Sequence, residues 1–288
     1  MKTSTGATGN VGIEVIKALQ KIQHQLDIFA GVRELQKDGE KLSEFYLIPE
    51  KFDFTDVTTF EPALKNCQIL FLLRPPQISD TEKYFIPLIE IAEKYNVNHI
   101  IFLSVQGVEK SSIIPHYKIE KLIVESGIPY TFLRPAYFMQ NFITTLHDDL
   151  VNKKQIYLPA GKAKFTLIDV RDIGEITAKI MVDTTKHINQ SYELTCDEKL
   201  TFQEMADKLS LGLGVKIVYI SPNLVSFAIQ KLKEKVPFGY ILVLIMLHYL
   251  PRFQQELFFS NAFLKIMGRK PISFDQFVLD HKERLLKL

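Results

Sequence analysis

The stretch Thr5-Gly6-Ala7-Thr8-Gly9-Asn10-Val11-Gly12 runs straight into the amphipathic segment Ile13-Glu14-Val15-Ile16-Lys17-Ala18-Leu19. Three glycines at three-residue spacing ahead of a helix have the form of a phosphate cradle. Gly6 permits a tight turn out of a first strand, Gly9 lets a pyrophosphate approach the backbone, and Gly12 lets the helix pack closely on the sheet. Thr8, Asn10 and Val11 complete the turn, and the free N–H groups of the first helical turn face the anion. This reading predicts a dinucleotide ligand; the alternative is an ordinary strand-to-helix turn. Only Met1-Lys2-Thr3-Ser4 is available for the strand ahead of it. The expectation is either a very short first strand or a start inside a longer gene.

Outward from this turn, apolar runs alternate with helical patterns. Leu26 to Val32, Gln68 to Leu73, His99 to Ser104 and Tyr130 to Leu133 read as strands, and Asp53-Phe54 closes a further one begun near Lys51. Such alternation predicts parallel βαβ units: an α/β fold with a doubly wound parallel sheet. After about residue 150 the rhythm changes. Gln155 to Pro159, Phe165 to Val170 and Ser191 to Leu194 read as isolated strands, Thr201-Phe202-Gln203-Glu204 as a capping box opening a helix, and Val215 to Ile220 as one more strand. The expected organisation is a Rossmann domain over 1–150 and a smaller α+β lobe over 151–288, integrated into one domain. A ligand cleft is expected between them, at the C-terminal edge of the sheet.

Composition narrows the function. With 47% hydrophobic and 24% charged residues the chain reads as a soluble globular protein. A net charge of +2 from 35 basic and 33 acidic residues, with no basic stripe, argues against nucleic acid as a direct ligand. Cys67 and Cys196 lack metal-ligand or disulfide spacing, so two reduced thiols and no metal are expected. The apolar run Tyr240 to Leu247, between Pro237 and Pro251, is too short to span a bilayer and reads as a buried helix, with a substrate wall or dimer contact as the alternatives. Without a secretory signal, the expected location is cytoplasmic, as a monomer or homodimer with no membrane partner.

Candidate site residues follow from where the strands end. Arg33 stands where an acidic residue would hold the 2′-hydroxyl of NAD, and its guanidinium suits a 2′-phosphate. NADP(H) is favoured, with Lys37 one turn further adding charge; NAD(H) stays possible because Glu34 is close. Asp53 and Phe54 fall beside the expected adenine, and Leu73 and Arg74 beside the pyrophosphate and nicotinamide ribose. Arg74 then binds phosphate or closes the pocket, or is an exposed loop arginine. Ser104 ends the fifth strand, and Gln106 follows it toward the substrate. Pro135 and Tyr137 lie beside the nicotinamide. Tyr137, Phe138 and Phe142 offer an aromatic wall for a flat substrate, with core packing as the alternative.

Five segments in order carry a resemblance: Ile101 to Gly107, His116 to Glu120, Tyr130 to Asn141, Phe165 to Gly174 and Met267 to Phe274. Together with the GxxGxxG spacing they resemble the NmrA-like family of atypical short-chain dehydrogenase/reductases over nearly the whole chain, with the bacterial NAD(P)H quinone and azo reductase-like members the nearest in look. Conventional short-chain dehydrogenases use a Tyr-x-x-x-Lys pair as acid catalyst. Tyr117 and Lys121 have that spacing, but register with extended relatives sets His116 at the lysine position and Ser112 at the tyrosine position. His116, Ser104 and Tyr117 are therefore the catalytic candidates. The resemblance implies hydride transfer from NAD(P)H to a small quinone-like or azo acceptor. The alternative is a non-catalytic NADP(H) sensor acting on a protein partner. Nucleotide-sugar epimerase work is less favoured, because it generally needs the Tyr/Lys pair.

Overall fold

A computed structural model describes residues 2–253 and 259–286. In chain order it begins with β1 (Lys2–Ser4), α1 (Asn10–Lys21), β2 (Ile28–Val32), α2 (Leu35–Lys41), β3 (Ile48–Lys51) and α3 (Phe60–Leu64). Next come β4 (Ile69–Leu73), α4 (Thr81–Lys94), β5 (His99–Leu103), α5 (Pro115–Glu125) and β6 (Tyr130–Pro135). These are followed by β7 (Tyr137–Phe138), α6 (His147–Lys153), β8 (Gln155–Tyr157), β9 (Lys164–Ile168), α7 (Val170–Val182) and β10 (Gln190–Leu194). The last elements are β11 (Lys199–Thr201), α8 (Phe202–Leu213), β12 (Val218–Ile220), α9 (Leu224–Lys233), α10 (Phe238–Tyr249), α11 (Ala262–Met267), α12 (Phe274–Asp280) and α13 (Lys282–Leu286).

Two compact units share these elements. The first holds the chain up to Pro135 together with Val170–Leu194 and Ala262–Gly268; the second holds Ala136–Asp169, Thr195–Asn261 and the chain from Arg269. Residue 150, where the rhythm of the sequence changes, lies inside α6 of the second unit.

The first unit is a seven-stranded sheet in the order β10-β6-β5-β4-β1-β2-β3, with every neighbour parallel. The chain winds outward from β1 on one side and from β4 on the other, which places the topological switch point between those two strands. Short as it is, β1 pairs on both sides, with β2 and β4. Side chains alternate faces along β4: Leu70 and Leu72 join the cluster of Phe85 from α4 and Ile119 and Ile123 from α5. Near the start of the chain, Gly174 in α7 lets that helix come against α1, since a Cβ there would lie 2.6 Å from the Glu14 carbonyl.

In the second unit β9 pairs with β7 and β11, and β8 pairs with β12. Its core gathers Phe142, Phe202, Phe227, Phe274 and Phe277. The Thr201–Glu204 capping box forms as read and opens α8.

Several expectations are corrected. Ser191 to Leu194 is not an isolated strand of the smaller lobe: β10 extends the main sheet beside β6. The strand at Lys51 ends there, and Asp53 instead bridges to Asp56. Val170 opens a helix rather than closing a strand. The apolar run of α10 is only partly buried: Ile241, Leu244 and His248 form one covered stripe at helical spacing, while Leu242, Val243, Met246 and Leu247 are exposed. A run apolar all round carries no periodicity, so it could not say which face is covered. No helix among the described residues is long and apolar enough to cross a membrane. Cys67 and Cys196 are both buried, and neither is part of a disulfide among the described residues.

Candidate functional site

The glycine turn is held in place from beneath. Thr5, fully buried, accepts from Leu73 N at 2.8 Å and donates toward the Leu73 and Phe71 carbonyls, which ties the exit of β1 to the exit of β4. The chain then reverses at Gly6, whose φ of +64° suits only glycine without strain, and a Cβ there would touch Leu73 at 3.3 Å. Gly9 N donates to Gly6 O at 3.0 Å, and Gly9 caps α1. At Gly12 a Cβ would fall 2.4 Å from Gly6 O and 2.8 Å from Ala7 Cα. Gly12 thus seats the helix on the turn itself; the close helix packing belongs to Gly174. Thr8, Gly9 and Asn10 are exposed, whereas the Val11 side chain is buried and offers only backbone. The N–H groups of Asn10, Val11 and Gly12 have no acceptor among the described residues. They are the unpaired donors of a helix N-terminus, where an anion is stabilised.

Past β2, Arg33 and Lys37 are exposed, and neither has an ion-pair partner among the described residues. Their neighbour Asp38 is taken up by Lys41 at 3.1 Å and by Glu34 N at 3.2 Å. Asp53 accepts from Thr55 N and Thr55 Oγ1, each at 2.8 Å. Partial burial pushes its carboxyl up, but these two bonds and the nearby Arg33 and Lys51 charges hold it below the usual range. Phe54 is buried among Phe52, Phe60 and Phe85, so its ring belongs to the core.

Beyond β4, Arg74 is neither an exposed loop cation nor free to turn. Nη1 donates to the carbonyls of Pro75 and Pro76, each at 3.1 Å, and of Ile78 at 2.7 Å, which closes the proline turn. Its Nε donates to His116 Nε2 at 3.3 Å. No carboxylate pairs with Arg74 among the described residues, and burial alone lowers its pKa. His116 lies in the first turn of α5, its ring 6.0 Å from that of Phe102. Burial, and then the Arg74 charge, drive its pKa down to about 3, so the imidazole is neutral.

Ser104 sits at the end of β5, 2% exposed; its N donates to Leu133 O, and its Oγ has no hydrogen-bond partner. Gln106 N reaches Pro135 O at 3.0 Å, which joins the loops after β5 and β6. Tyr117 and Lys121 are not joined: Lys121 is exposed and paired to Glu125 at 3.5 Å, and Ser112 is exposed. Sequence reasoning missed one polar cluster on the same strand ends. Arg134 grips the buried Glu120 of α5 through Nε at 3.0 Å and Nη2 at 2.7 Å, with Glu193 of β10 at 3.8 Å. Burial pushes the Glu193 carboxyl up to about 7, and its Oε2 has no partner. The only available signal was that Arg134 and Glu120 are both ionic within apolar segments; the place of β10 was out of reach.

In the second unit Tyr137 packs edge-on to Phe165 and Phe202, and its hydroxyl meets His248 Nε2 at 3.1 Å. His248 Nδ1 donates to Leu244 O at 2.7 Å, so Nε2 is the acceptor of the Tyr137 proton. Burial raises the Tyr137 phenol and lowers His248 to about 4. Phe142 is fully buried against Phe202 and Phe274. Phe138, half-buried, keeps part of its ring at the surface of this unit.

A doubly wound parallel sheet with a glycine turn between its first strand and helix defines the dinucleotide-binding class of α/β proteins. Within that class, residues 3–254 match the NmrA-like family, and the chain belongs to it. Prestalk A differentiation protein A of Dictyostelium discoideum is 30% identical over 217 residues, spanning 74% of this chain and 69% of that protein. An NAD(P)H azoreductase of Xenophilus azovorans is 28% identical over 224 residues, 76% of each chain. Quinone oxidoreductase 2 of Escherichia coli is 25% identical over 82% of each chain. Its structure with NADPH covers 96% of this chain and 98% of that one with a TM-score of 0.84 at 22% identity, a likeness of fold.

Proposed function

We propose that this chain is an NAD(P)H-dependent oxidoreductase, with NADPH preferred, that reduces a small quinone-like or azo acceptor. The observation that carries the proposal is the Gly6–Gly12 cradle: its glycines let the turn close against Leu73 and its own backbone, and three helix N–H donors have no acceptor among the described residues. Arg33 and Lys37, exposed and without ion pairs among the described residues, fit a 2′-phosphate at the end of β2. The azoreductase and quinone oxidoreductase among the relatives support the acceptor class. Acceptor reduction of this kind asks the protein mainly to orient two partners and exclude competing reactions.

In this reading the bound cofactor supplies the hydride. The first-turn amides and Arg33 would hold its phosphates, and Asp53, two residues beyond the end of β3, would lie beside the adenine. Arg74, His116 and Ser104 line the ends of β4, α5 and β5 toward the reacting centre. The unpartnered Ser104 hydroxyl is available to a ligand oxygen or to water. Tyr117 has no acid role here. Anaerobic mixing of the protein with NADPH and a quinone panel tests the proposal. Cofactor oxidation that depends on the quinone supports it; tight NADPH binding without oxidation in any pairing, azo dyes included, supports the sensor reading instead.

A further inference from the structure

The Arg74–His116 contact has a chemical direction. Arg74 Nε carries a hydrogen and can only donate, so His116 Nε2, 3.3 Å away, must present its lone pair. The ring proton is therefore on Nδ1, which has no acceptor among the described residues. The guanidinium is itself immobilised by the three carbonyls of its own turn, so it cannot swing aside to release the ring. His116 is also the second residue of α5, where the helix N-terminus disfavours a cation. The Phe102 ring covers it from β5. Arg74 is the charge that acts on it; the ionic residues nearest in its own helix, Lys118 and Glu120, are respectively exposed and bound to Arg134.

We propose that Arg74 is a positioning residue that locks His116 as the neutral Nδ1–H tautomer, making His116 a hydrogen-bond donor to the acceptor's oxygen or nitrogen and not its proton source. The catalytic half of this inference rests on the function proposed above. A quinone becomes a hydroquinone by taking up one hydride and one proton. The hydride brings both electrons, the proton comes from water, and His116 keeps its own. Burial of the ring supports the same assignment, since protonation would need an acidic solution. The site then selects acceptors with an exposed lone pair near the reacting atom, and acid catalysis by imidazolium is absent.

Nitrogen-15 NMR of the histidine-labelled protein tests the lock without any cofactor, with the His116 signals assigned through His116→Gln. The expected spectrum has a protonated Nδ1, an unprotonated Nε2 and no titration between about pH 5 and pH 9. A protonated Nε2, or a midpoint above about 6, overturns the proposal. In Arg74→Met, His116 should exchange tautomers and titrate closer to the ordinary range; Arg74→Lys, which keeps the charge without the fork, serves if that variant fails to fold. With a quinone and NADPH, the wild type should have a kcat flat in pH across this window, and the Arg74 variant should become pH-dependent. His116→Gln should recover most of a loss of about tenfold or more expected for His116→Leu, because the amide still donates. A pH-dependent wild-type kcat that disappears in His116→Gln would identify a proton source and contradict the proposal. Absence of turnover with correct tautomer spectra would count against the oxidoreductase reading alone.

Discussion

In the first unit, Ser104 Oγ and Glu193 Oε2 are buried with no hydrogen-bond partner among the described residues and the first amides of α1 face no acceptor there, whereas three polar clusters of the second unit are paired. There Tyr137 holds His248, Gln140 holds Asp169 at 2.8 Å, and Lys231 and Lys153 close a ring with Asp149 and Glu234 through contacts of 2.6–2.8 Å. A buried polar group left unpaired costs about 1–3 kcal/mol, so such groups persist where a ligand or water can satisfy them. The strand ends of the first unit are therefore read as the place of chemistry, and these three clusters as scaffold.

Breaking the cradle should have the largest effect. Gly12→Val forces a branched side chain into Gly6 O and Ala7 and should destabilise the fold by about 3 kcal/mol, measured by urea titration. An unchanged midpoint would mean that the helix does not sit on the turn as described. Arg33→Ala leaves the fold alone and should weaken NADPH by about 1.5–3 kcal/mol while sparing NADH, read by fluorescence titration. Equal losses for both cofactors would make Arg33 structural.

Acid should act on both units, since His116 and His248 both have depressed pKa values, and His248 is the probe for the second. The folded pKa of His248, about 4, lies below its unfolded value of 6.5, so the unfolded chain takes up the proton first. Its contribution is intact above about pH 6.5 and is lost as pH falls toward 4, at up to about 1.4 kcal/mol per pH unit. His248→Gln should make the pH-stability curve shallower in that window; an identical slope would remove His248 as the cause. Ser104→Ala should give the smallest change and an opposite sign. Deleting an unpartnered hydroxyl should stabilise the protein by about 1 kcal/mol while lowering quinone turnover. A destabilised variant would show that the hydroxyl is satisfied within the fold.

What the sequence made legible was local. The glycine turn declares itself because φ at Gly6 and the contact at Gly12 exclude other residues, and the Thr201–Glu204 box because its two bonds span three residues. Strand alternation up to Tyr130 was enough for a parallel sheet. What stayed hidden was contact across distance. The β10 strand pairs with a segment some sixty residues earlier, and nothing in Ser191 to Leu194 names that partner. Phe142 looked the same as a ligand wall and as a core ring until its neighbours were known, and Phe54, set beside the adenine in sequence, packs its ring in the core. The three carbonyls and the imidazole around Arg74 likewise depend on how a proline turn folds back. The NmrA-like resemblance, read from five ordered segments, agrees with the family match over 3–254.

The central claim is that the Gly6–Gly12 turn binds a dinucleotide phosphate. Calorimetric titration of NADPH into the wild type and into folded Gly9→Val tests it most directly, because a branched side chain there blocks the backbone approach to the pyrophosphate. The account predicts saturable 1:1 binding to the wild type and none to the variant. Equal affinity for both proteins would contradict it.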